Sequence, residues 1–204
     1  MAEIITINLE NLTEKEKAQA LKLFEKGSKV RGIPKVANGE TFKIADVEFI
    51  KFTDIDGVTT VVTKEAVFTS DFGDSNNLAN RKILNRLEKE FMPKIIAAVG
   101  VENVLDFETD LTTLDGVKTY GKITSKVSLP TLDFYREHTG IFDKYKFDGW
   151  YWLATPWSAL PHYDSSCILC VAPSGSIGYS NVISDFGVRP LLNFKSSIFD
   201  SCEE

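Results

Sequence analysis

Cysteine and histidine are scarce in this chain of 204 residues. The three cysteines, Cys167, Cys170 and Cys202, are an odd number, which argues against a disulfide framework and makes a reducing cytoplasm the simplest setting. His138 and His162 are the only histidines. The sequence also has no G-x-S-x-G turn, no H-E-x-x-H and no glycine-rich phosphate loop, so we expect no enzyme activity.

Long apolar runs and clustered basic residues are missing as well. No apolar run approaches the ~18 residues that a membrane-spanning helix needs, and the start, Met1 to Thr6, lacks the basic and apolar regions of a signal peptide. The net charge of -6 argues against a general nucleic-acid binder, because such proteins use clustered Lys and Arg to displace counterions. We therefore expect a cytoplasmic, acidic protein that binds neither a membrane nor a specific nucleic-acid sequence.

The chain is otherwise that of a globular protein with a sizeable core. Hydrophobic residues make up 43% of it, and its 14 phenylalanines favour a packed, strand-rich interior. Residues 1–38 are predicted to be an appendage, with a short strand, a helix from Thr13 to Lys26 and a linker. Thr13 and Glu16 form a capping box for that helix. The main domain is predicted to cover residues 39–204.

Strand and helix signals alternate in the first half of the main domain. Strand residues from Thr41 to Phe52 surround a turn at Ala45, and Asp54 to Gly57 predicts a hairpin turn before the strand Val58 to Thr63. A helix is predicted from Ser75 or Asn76, kinked at Pro93, and a shorter one follows Thr131. One face of the first helix is apolar, with Leu78, Ile83, Leu84, Leu87 and Phe91.

The last third is aromatic and strand-like. The predicted strands run from Trp150 to Ala154, Cys167 to Ala172, Ile177 to Tyr179 and Gly187 to Phe194. In the first of them Trp150 and Trp152 alternate with Tyr151, which predicts one face in the core. Short strands separated by long irregular loops are typical of an α+β domain.

Three motifs in this region carry a resemblance. They are Trp150 to Pro156, then Ser174 to Ile177, then Gly187 to Leu192, and the upstream segment Thr112 to Gly116 fits the same order. Together, over about residues 39–195, they resemble an uncharacterised domain common in phages, prophages and other Gram-positive bacterial genomes. Its members show W-W-L-R-S-P, D-G-S-I and G-V-R-P-A-L.

The resemblance implies a C-type-lectin-like fold, shared with formylglycine-generating-type proteins and with variable proteins of phage diversity-generating elements. Most members of that fold bind partners without doing chemistry. The arginine of the family's first motif is Ala154 here, so a site built on that arginine is not implied. Fold alone does not fix function.

The spacing Cys167-x-x-Cys170, with His162 nearby, is the one candidate metal site. A zinc ion would need His138 or Cys202 as a fourth ligand. In a strand, however, residues three apart point to opposite faces, so the two sulfurs diverge. We therefore expect structural cysteines and neither a metal nor a cofactor, and a formylglycine-type oxidase would need converging cysteines.

Two charged features favour structural or surface interpretations. Asp106, Glu108 and Asp110 alternate along a predicted strand, which could form an acidic site but is more typical of a solvated face. Arg189, fixed beside Pro190, is expected to pair with a buried carboxylate or with backbone carbonyls.

The predicted binding residues lie on two irregular loops, from Trp157 to Ser166 and from Tyr179 to Asp185. If the strands around them are neighbours, the loops emerge together. The residues that we expect to contact a partner are Trp157, His162, Tyr163, Tyr179 and Asn181, of types that recognition loops favour.

Two functions fit these observations. The first is a phage or prophage inhibitor that binds a host defence protein inside the cell, for example an anti-CRISPR protein. The second is a receptor-binding or tail-tip adhesin that recognises a cell-surface glycan or protein. The second would usually carry trimerisation or shaft sequence, which this chain lacks.

Overall fold

The structure is a computed structural model that describes residues 33–163 and 165–199. The predicted N-terminal strand and helix, and also Cys202, lie outside these residues, so the appendage stays a prediction. Ile33 and Val36, which fall in the predicted linker, pack against the main core, and the Ile33 N–H donates to the Ile198 carbonyl at 3.3 Å. The predicted α+β class is confirmed, with far more strand than helix.

Twelve strands are present in the described part of the chain. They are β1 (Thr41–Ile44), β2 (Val47–Ile55), β3 (Val58–Thr63), β4 (Phe68–Ser70), β5 (Val104–Leu105), β6 (Phe107–Asp110), β7 (Lys122–Ser125), β8 (Tyr151–Pro156), β9 (Cys167–Val171), β10 (Ile177–Asn181), β11 (Phe186–Val188) and β12 (Leu191–Lys195). They form a sheet in the order β1-β2-β3-β12-β5, a second in the order β10-β9-β8-β11-β4, and the ribbon β6-β7. All pairs are antiparallel except β8 with β11.

Within the described residues, three helical regions accompany the sheets. The first, α1 (residues 82–99), consists of Lys82–Arg86, a π-helical turn Leu87–Phe91, and Met92–Val99. The others are α2 (Leu132–Glu137) and α3 (Thr139–Lys144). Short 3₁₀ turns cover Leu78–Asn80, Val101–Asn103 and Ser196–Phe199. No helix in the described ranges is long and apolar enough to cross a membrane.

The two predicted turns near the start of the domain are confirmed. Ala45 has φ of 53° between β1 and β2, and Asp56 and Gly57 have φ of 52° and 77° between β2 and β3. Two successive positive φ angles give a turn whose twist matches the flanking strands, and the Asp-Gly pair tolerates them. Strand β3 has the predicted bounds, Val58 to Thr63.

The helical predictions are confirmed in part. Thr131 caps α2, because its side chain accepts a hydrogen bond from the Phe134 N–H, and the predicted apolar face of α1 is buried. The predicted start of α1 at Ser75 or Asn76 is wrong: a 3₁₀ turn capped by Asn77 comes first, and the helix begins at Lys82. Arg81, with φ of 68°, separates the two.

The predicted single strand from Gly187 to Phe194 is wrong. Its first part is β11, which lies between β8 and β4, and its second part is β12, which lies between β3 and β5 in the other large sheet. Arg189 and Pro190 therefore connect the two sheets. The proline fixes its own φ and lacks an N–H, which suits a position where one ladder ends.

Strand β8 is buried on both faces, not on one as the alternation predicted. Trp152 and Ala154 enter a first core cluster with side chains of both large sheets and α1. Tyr151 and Leu153 enter a second cluster, which also includes side chains of α2 and α3. Trp150, just before the strand, stays 43% exposed. The site described next is built on the end of this central strand.

Candidate binding surface

The loop between β8 and β9 and the segment that begins in β10 meet at one end of the second sheet. The Trp157 and Tyr179 ring centroids are 4.2 Å apart. The Val182 N–H donates to the Ser166 carbonyl at 2.8 Å, and the Trp157 N–H donates to the Cys167 carbonyl at 3.2 Å. The two predicted recognition segments are thus joined by contacts, but Ser180 and Asn181, predicted to lie in the second loop, belong to strand β10. We call the exposed side chains of residues 157–163 and 177–185 the two-loop surface.

Asn76, which is fully buried, holds the first of these loops in place. Its Nδ2 donates to the carbonyls of Ser158 at 2.8 Å and Cys167 at 2.7 Å, and its Oδ1 accepts from the Tyr120 hydroxyl at 2.8 Å. Its N–H also donates to the Ser165 carbonyl at 2.8 Å. Both ends of the loop are therefore fixed by one amide. In the sequence Asn76 was recognisable only as a candidate helix start, and its role as an anchor was missed.

A second network, around Asp115, fixes the middle of the loop. Its carboxylate accepts hydrogen bonds from the Thr113 hydroxyl, from Ser158 Oγ at 2.7 Å, and lies 3.1 Å from His162 Nδ1. The Thr113 bond, followed by the Ser158 bond, lowers the pKa of Asp115 to about 2. The segment Thr112 to Gly116 was noted in the sequence for its resemblance, but its role as an anchor was not.

These residues do not form a Ser-His-Asp triad. In a triad the histidine lies between the serine and the carboxylate and takes the serine proton. Here the Ser158 hydroxyl and His162 Nδ1 both contact the same oxygen of Asp115. The hydroxyl proton is directed at a carboxylate with a low pKa, which cannot act as an effective base near neutral pH. The arrangement orders the loop, and the absence of enzyme activity stays a prediction.

We expect the pKa of Asp115 to rise towards its ordinary value of 3.8 when Ser158 is replaced by Ala. A carboxylate that loses a donor is less stabilised in its charged form. Because the folded pKa lies below the unfolded one, the contribution to stability is complete above about 3.8 and is lost as the pH falls through about 2. Carbon-13 NMR titration of the carboxyl carbon measures the shift.

Thr119→Val is the matched control for that titration. The Thr119 hydroxyl also donates to the loop, to the Leu160 carbonyl at 3.2 Å, but it does not contact Asp115. The control should leave the Asp115 midpoint unchanged. An equal shift in both variants would mean that loop disorder, rather than the lost donor, moves the pKa.

The predicted binding residues differ in exposure. Tyr163 and Tyr179 are 55% and 56% exposed, and Asn181 is exposed with its Oδ1 accepting from the Ile183 N–H. Trp157, predicted as a contact residue, is half-buried, because it packs on Tyr179 and on the second core cluster. It is therefore less exposed than the two tyrosines.

Three exposed large apolar residues of the two-loop surface were missed, and Ile177, 42% exposed, is one of them. Leu160 is 70% exposed and Ile183 is 77% exposed. Isolated apolar residues in irregular loops carry no periodic signal, so the sequence could not separate them from core residues. Between residues 149 and 184 the one charged side chain is Asp164, and this sparsity of charge is the sequence signal that could have found the surface.

The candidate metal ligands do not converge. Cys170 is buried in the first core cluster, where burial raises the pKa of its thiol to about 11, whereas Cys167 is three residues earlier on β9 and points to the other face. His138 packs its ring on Phe52 and Phe134. Within residues 33–163 and 165–199, no group of three or more His, Cys, Asp or Glu side chains could hold a metal. That the whole chain needs no metal or cofactor stays a prediction.

The alternating carboxylates form a solvated face, as expected. Glu108 pairs with Lys122 at 3.1 Å and Asp106 with Lys126 at 3.2 Å, all on the surface. Asp110 accepts hydrogen bonds from the N–H and hydroxyl of Thr112. These exposed pairs use neighbouring lysines and leave no cluster of unpaired acids.

Comparison of the chain with family models, with curated proteins and with solved structures finds no match.

Proposed function

We propose that this chain is a non-enzymatic protein-binding module with a C-type-lectin-like core, which engages its partner through the two-loop surface. The observation that carries the proposal is the exposure of large apolar and aromatic side chains on the β8–β9 loop and on the adjoining segment that begins in β10. Leu160, Tyr163, Tyr179 and Ile183 are each more than half exposed. When a partner covers such side chains, apolar surface is removed from water, which favours binding. Tyrosine side chains also lose little conformational entropy on binding.

The low charge of this surface supports the same proposal. Charged residues make up 25% of the chain, but Asp185 is the one charged residue of the two-loop surface. Depletion of charge is typical of the centre of a protein interface, with charges at its rim. A solvated loop without a partner would be expected to carry the average share of charge.

The position of β10 adds a third argument. It lies at the edge of its sheet, and Ile177, Tyr179 and Asn181 share its exposed face. Exposed edge strands are usually protected by lysine, proline or a bulge. No residue of β10 is charged or a proline, and its pairing with β9 is regular. An unprotected edge is consistent with a surface that a partner covers.

For the partner, we propose a host defence protein that a phage or prophage product blocks. The resemblance of the Trp150 to Pro156 and Gly187 to Leu192 motifs to a phage-associated domain supports this choice.

The test is capture of host proteins on immobilised chain, with the double substitution Tyr163→Ser and Ile183→Ser. Both side chains are mostly exposed, so the variant should fold and melt like the original. We expect its affinity for the captured protein to fall at least about tenfold, which needs only ~1.4 kcal/mol.

Ile55→Ser is the matched control. Ile55 is also a largely exposed apolar residue, 63% exposed, but it lies on the β2–β3 hairpin. Its substitution should leave the affinity unchanged. Equal capture by the double variant and by the original chain would contradict the proposed surface, and equal losses in the double variant and the control would point to a non-specific apolar effect.

A second candidate is the recognition of a cell-surface glycan. A polar groove of about 370 Å³ adjoins the loop, and its lining includes Thr112, Lys118, Asp133 and Arg136. Leu114, which also lines it, donates its N–H to the Pro156 carbonyl at the start of the loop. Hydroxyl and charged groups of this kind could bind sugar hydroxyls. A glycan array that retains the chain, with binding lost on Arg136→Ala, would favour this second function.

A further inference from the structure

The four edge strands of the two large sheets differ in how they are protected. Strand β1 contains Lys43, and the Val104 carbonyl of β5 accepts a hydrogen bond from Lys126 Nζ at 2.6 Å. The Thr69 carbonyl of β4 accepts from Arg86 Nη1 at 2.9 Å. Charged side chains at an edge discourage pairing with another chain. Strand β10 has no charged residue, so among the described residues it is the one edge of the large sheets without this protection.

The ladder between β9 and β10 shows which backbone groups of β10 face outward. At one end the Ala172 N–H donates to the Ser176 carbonyl at 2.9 Å, and at the other end the Val182 N–H donates to the Ser166 carbonyl at 2.8 Å. Hydrogen-bonded and non-hydrogen-bonded pairs alternate along an antiparallel ladder. In the regular register between these ends, the odd-numbered residues of β10 fall in the non-hydrogen-bonded pairs. Their N–H and carbonyl groups therefore point away from β9.

The outward residues are Ile177, Tyr179 and Asn181. Within residues 33–163 and 165–199, none of their N–H groups donates to a backbone group outside the ladder. Of their carbonyls, that of Asn181 accepts from the Ser184 N–H at 3.0 Å, and the other two have no such bond in these ranges. The side chains of all three residues are exposed. Strand β10 thus offers spaced backbone donors and acceptors that a further strand can pair.

The spacing of these groups matches a second copy of the same strand. When two antiparallel copies are related by a two-fold axis at Tyr179, this residue faces its own copy, and Ile177 faces Asn181 of the second copy. Every outward N–H then meets an outward carbonyl, and each contact occurs twice by symmetry. A register shifted by one residue would place outward groups against inward ones.

The side chains of β10 suit the same pairing. Trp157 packs on Tyr179 with ring centroids 4.2 Å apart, so pairing at Tyr179 brings two such aromatic pairs together across the axis. Aromatic residues that lie opposite each other on paired strands stabilise the pairing. A charge at the centre of the strand would face the same charge in the second copy, but β10 carries none.

We propose that β10 pairs with β10 of a second copy of this chain and forms a symmetric dimer, in which the five-stranded sheets of both copies become one continuous sheet. Opposite residues of paired strands lie on the same face, so the dimer presents the two-loop surface twice on one side. The contact uses the backbone edge of β10, whereas the proposed host protein contacts side chains. The dimer therefore does not rest on the proposed function.

The first test is sedimentation equilibrium of the purified, unmodified chain at concentrations from about 1 μM to about 1 mM. A contact this short is at the small end of protein interfaces, so we expect the dissociation constant to fall within this range. The average mass should rise with concentration from that of one chain to that of two. A monomer at every concentration would overturn the proposal.

The substitution Tyr179→Pro tests the backbone contact. Proline removes the central outward N–H, and because that group points away from β9, the ladder with β9 keeps its hydrogen bonds. The dimer loses two hydrogen bonds, so its dissociation constant should rise at least about thirtyfold.

Tyr179→Thr is the matched control for the proline variant. Threonine retains the N–H and favours strand, so only the aromatic contact is lost. Its dissociation constant should rise no more than about fivefold. Equal weakening in the two variants would mean that side-chain contact, rather than strand pairing, holds the copies together, and would contradict the proposal.

The double variant Tyr163→Ser and Ile183→Ser separates the dimer from the proposed function. Both side chains lie on the two-loop surface, outside β10. This variant should dimerise like the original chain, even where its affinity for the host protein falls. Loss of the dimer in this variant would place the contact on the loop side chains and overturn pairing at the edge.

Amide hydrogen exchange of the unmodified chain, resolved by NMR, tests the register without a variant. The N–H groups of Ile177, Tyr179 and Asn181 should exchange at least about tenfold more slowly at about fifty times the dissociation constant, where about a tenth of the chain is monomeric, than in the monomer. Those of Gly178 and Ser180 face β9 and should be protected at both concentrations. Exchange of the three outward groups that does not depend on concentration would overturn the proposal. Protection that appears only when a host protein is added would assign the edge to a strand of that protein instead.

Discussion

Replacing Trp152 by Ala is expected to lower the free energy of unfolding by about 3–5 kcal/mol, the usual cost of removing a buried tryptophan. Trp152 is fully buried at the centre of β8 and packs on Phe72 and Phe186, with ring centroids at 5.7 and 4.4 Å. Its Nε1 donates to the Ser70 carbonyl at 2.8 Å, so the substitution also leaves a carbonyl without its donor. Urea unfolding followed by circular dichroism measures the loss.

Trp150→Ala is the matched control for this substitution. Trp150 stacks on Phe186 with ring centroids 5.6 Å apart, but it is 43% exposed. Its removal should cost only about 1 kcal/mol, as is common for a partly exposed side chain. Both variants replace tryptophan by alanine, at positions that are two residues apart. The amino-acid change and its effect on strand propensity are therefore the same in the two variants. Similar losses in the two variants would contradict the burial of Trp152 between the sheets.

The parts of the fold that local sequence determines were predictable. The β1–β2 and β2–β3 hairpins depend on residues that tolerate positive φ, such as Asp56 and Gly57, and on alternation within a few positions. The cap of α2 at Thr131 is equally local. Such signals need no knowledge of distant contacts.

The connection between the large sheets was not predictable in the same way. The segment Gly187 to Phe194 is apolar almost throughout, and an apolar run does not say which sheet each half joins. The division follows from pairing of β11 with β8 and β4 and of β12 with β3 and β5. Arg189 was expected to pair with a buried carboxylate or with backbone carbonyls, and its Nε donates to the Thr63 carbonyl at 3.0 Å, a contact that is visible only once the surroundings of the side chain are known.

The site shows the same limit. Sequence composition singled out the two segments that meet at one end of the second sheet, because tyrosine, serine and asparagine are concentrated there. It could not give the exposure of Trp157, which depends on packing against Tyr179 across the loop. It also missed Asn76 and Asp115, which lie more than 40 positions before the loop that they hold.

Replacing Asn76 by Ala is expected to destabilise the fold by about 3 kcal/mol and to weaken partner binding without touching the two-loop surface. The substitution removes the donor of the Ser158 and Cys167 carbonyls and the acceptor of the Tyr120 hydroxyl. Each buried polar group left without a partner costs about 1–3 kcal/mol, and water that enters the gap recovers part of it. Urea unfolding measures the loss.

The anchoring role of Asn76 is tested by where the Asn76→Ala variant becomes disordered. With the amide gone, residues 157–163 lose the contacts that fix both ends of their loop, so their backbone N–H groups should exchange with deuterium faster, while those of β2 and β3 remain protected. Asn80→Ala is the control, because Asn80 is exposed and its side chain donates only to Ser75 Oγ. It should change neither stability nor exchange.

Since binding by a preordered loop avoids the entropic cost of ordering it, capture of the partner should weaken in Asn76→Ala although Tyr163 and Ile183 are intact. Unchanged affinity in that variant, with the loop shown to exchange faster, would mean that the partner contacts another part of the chain.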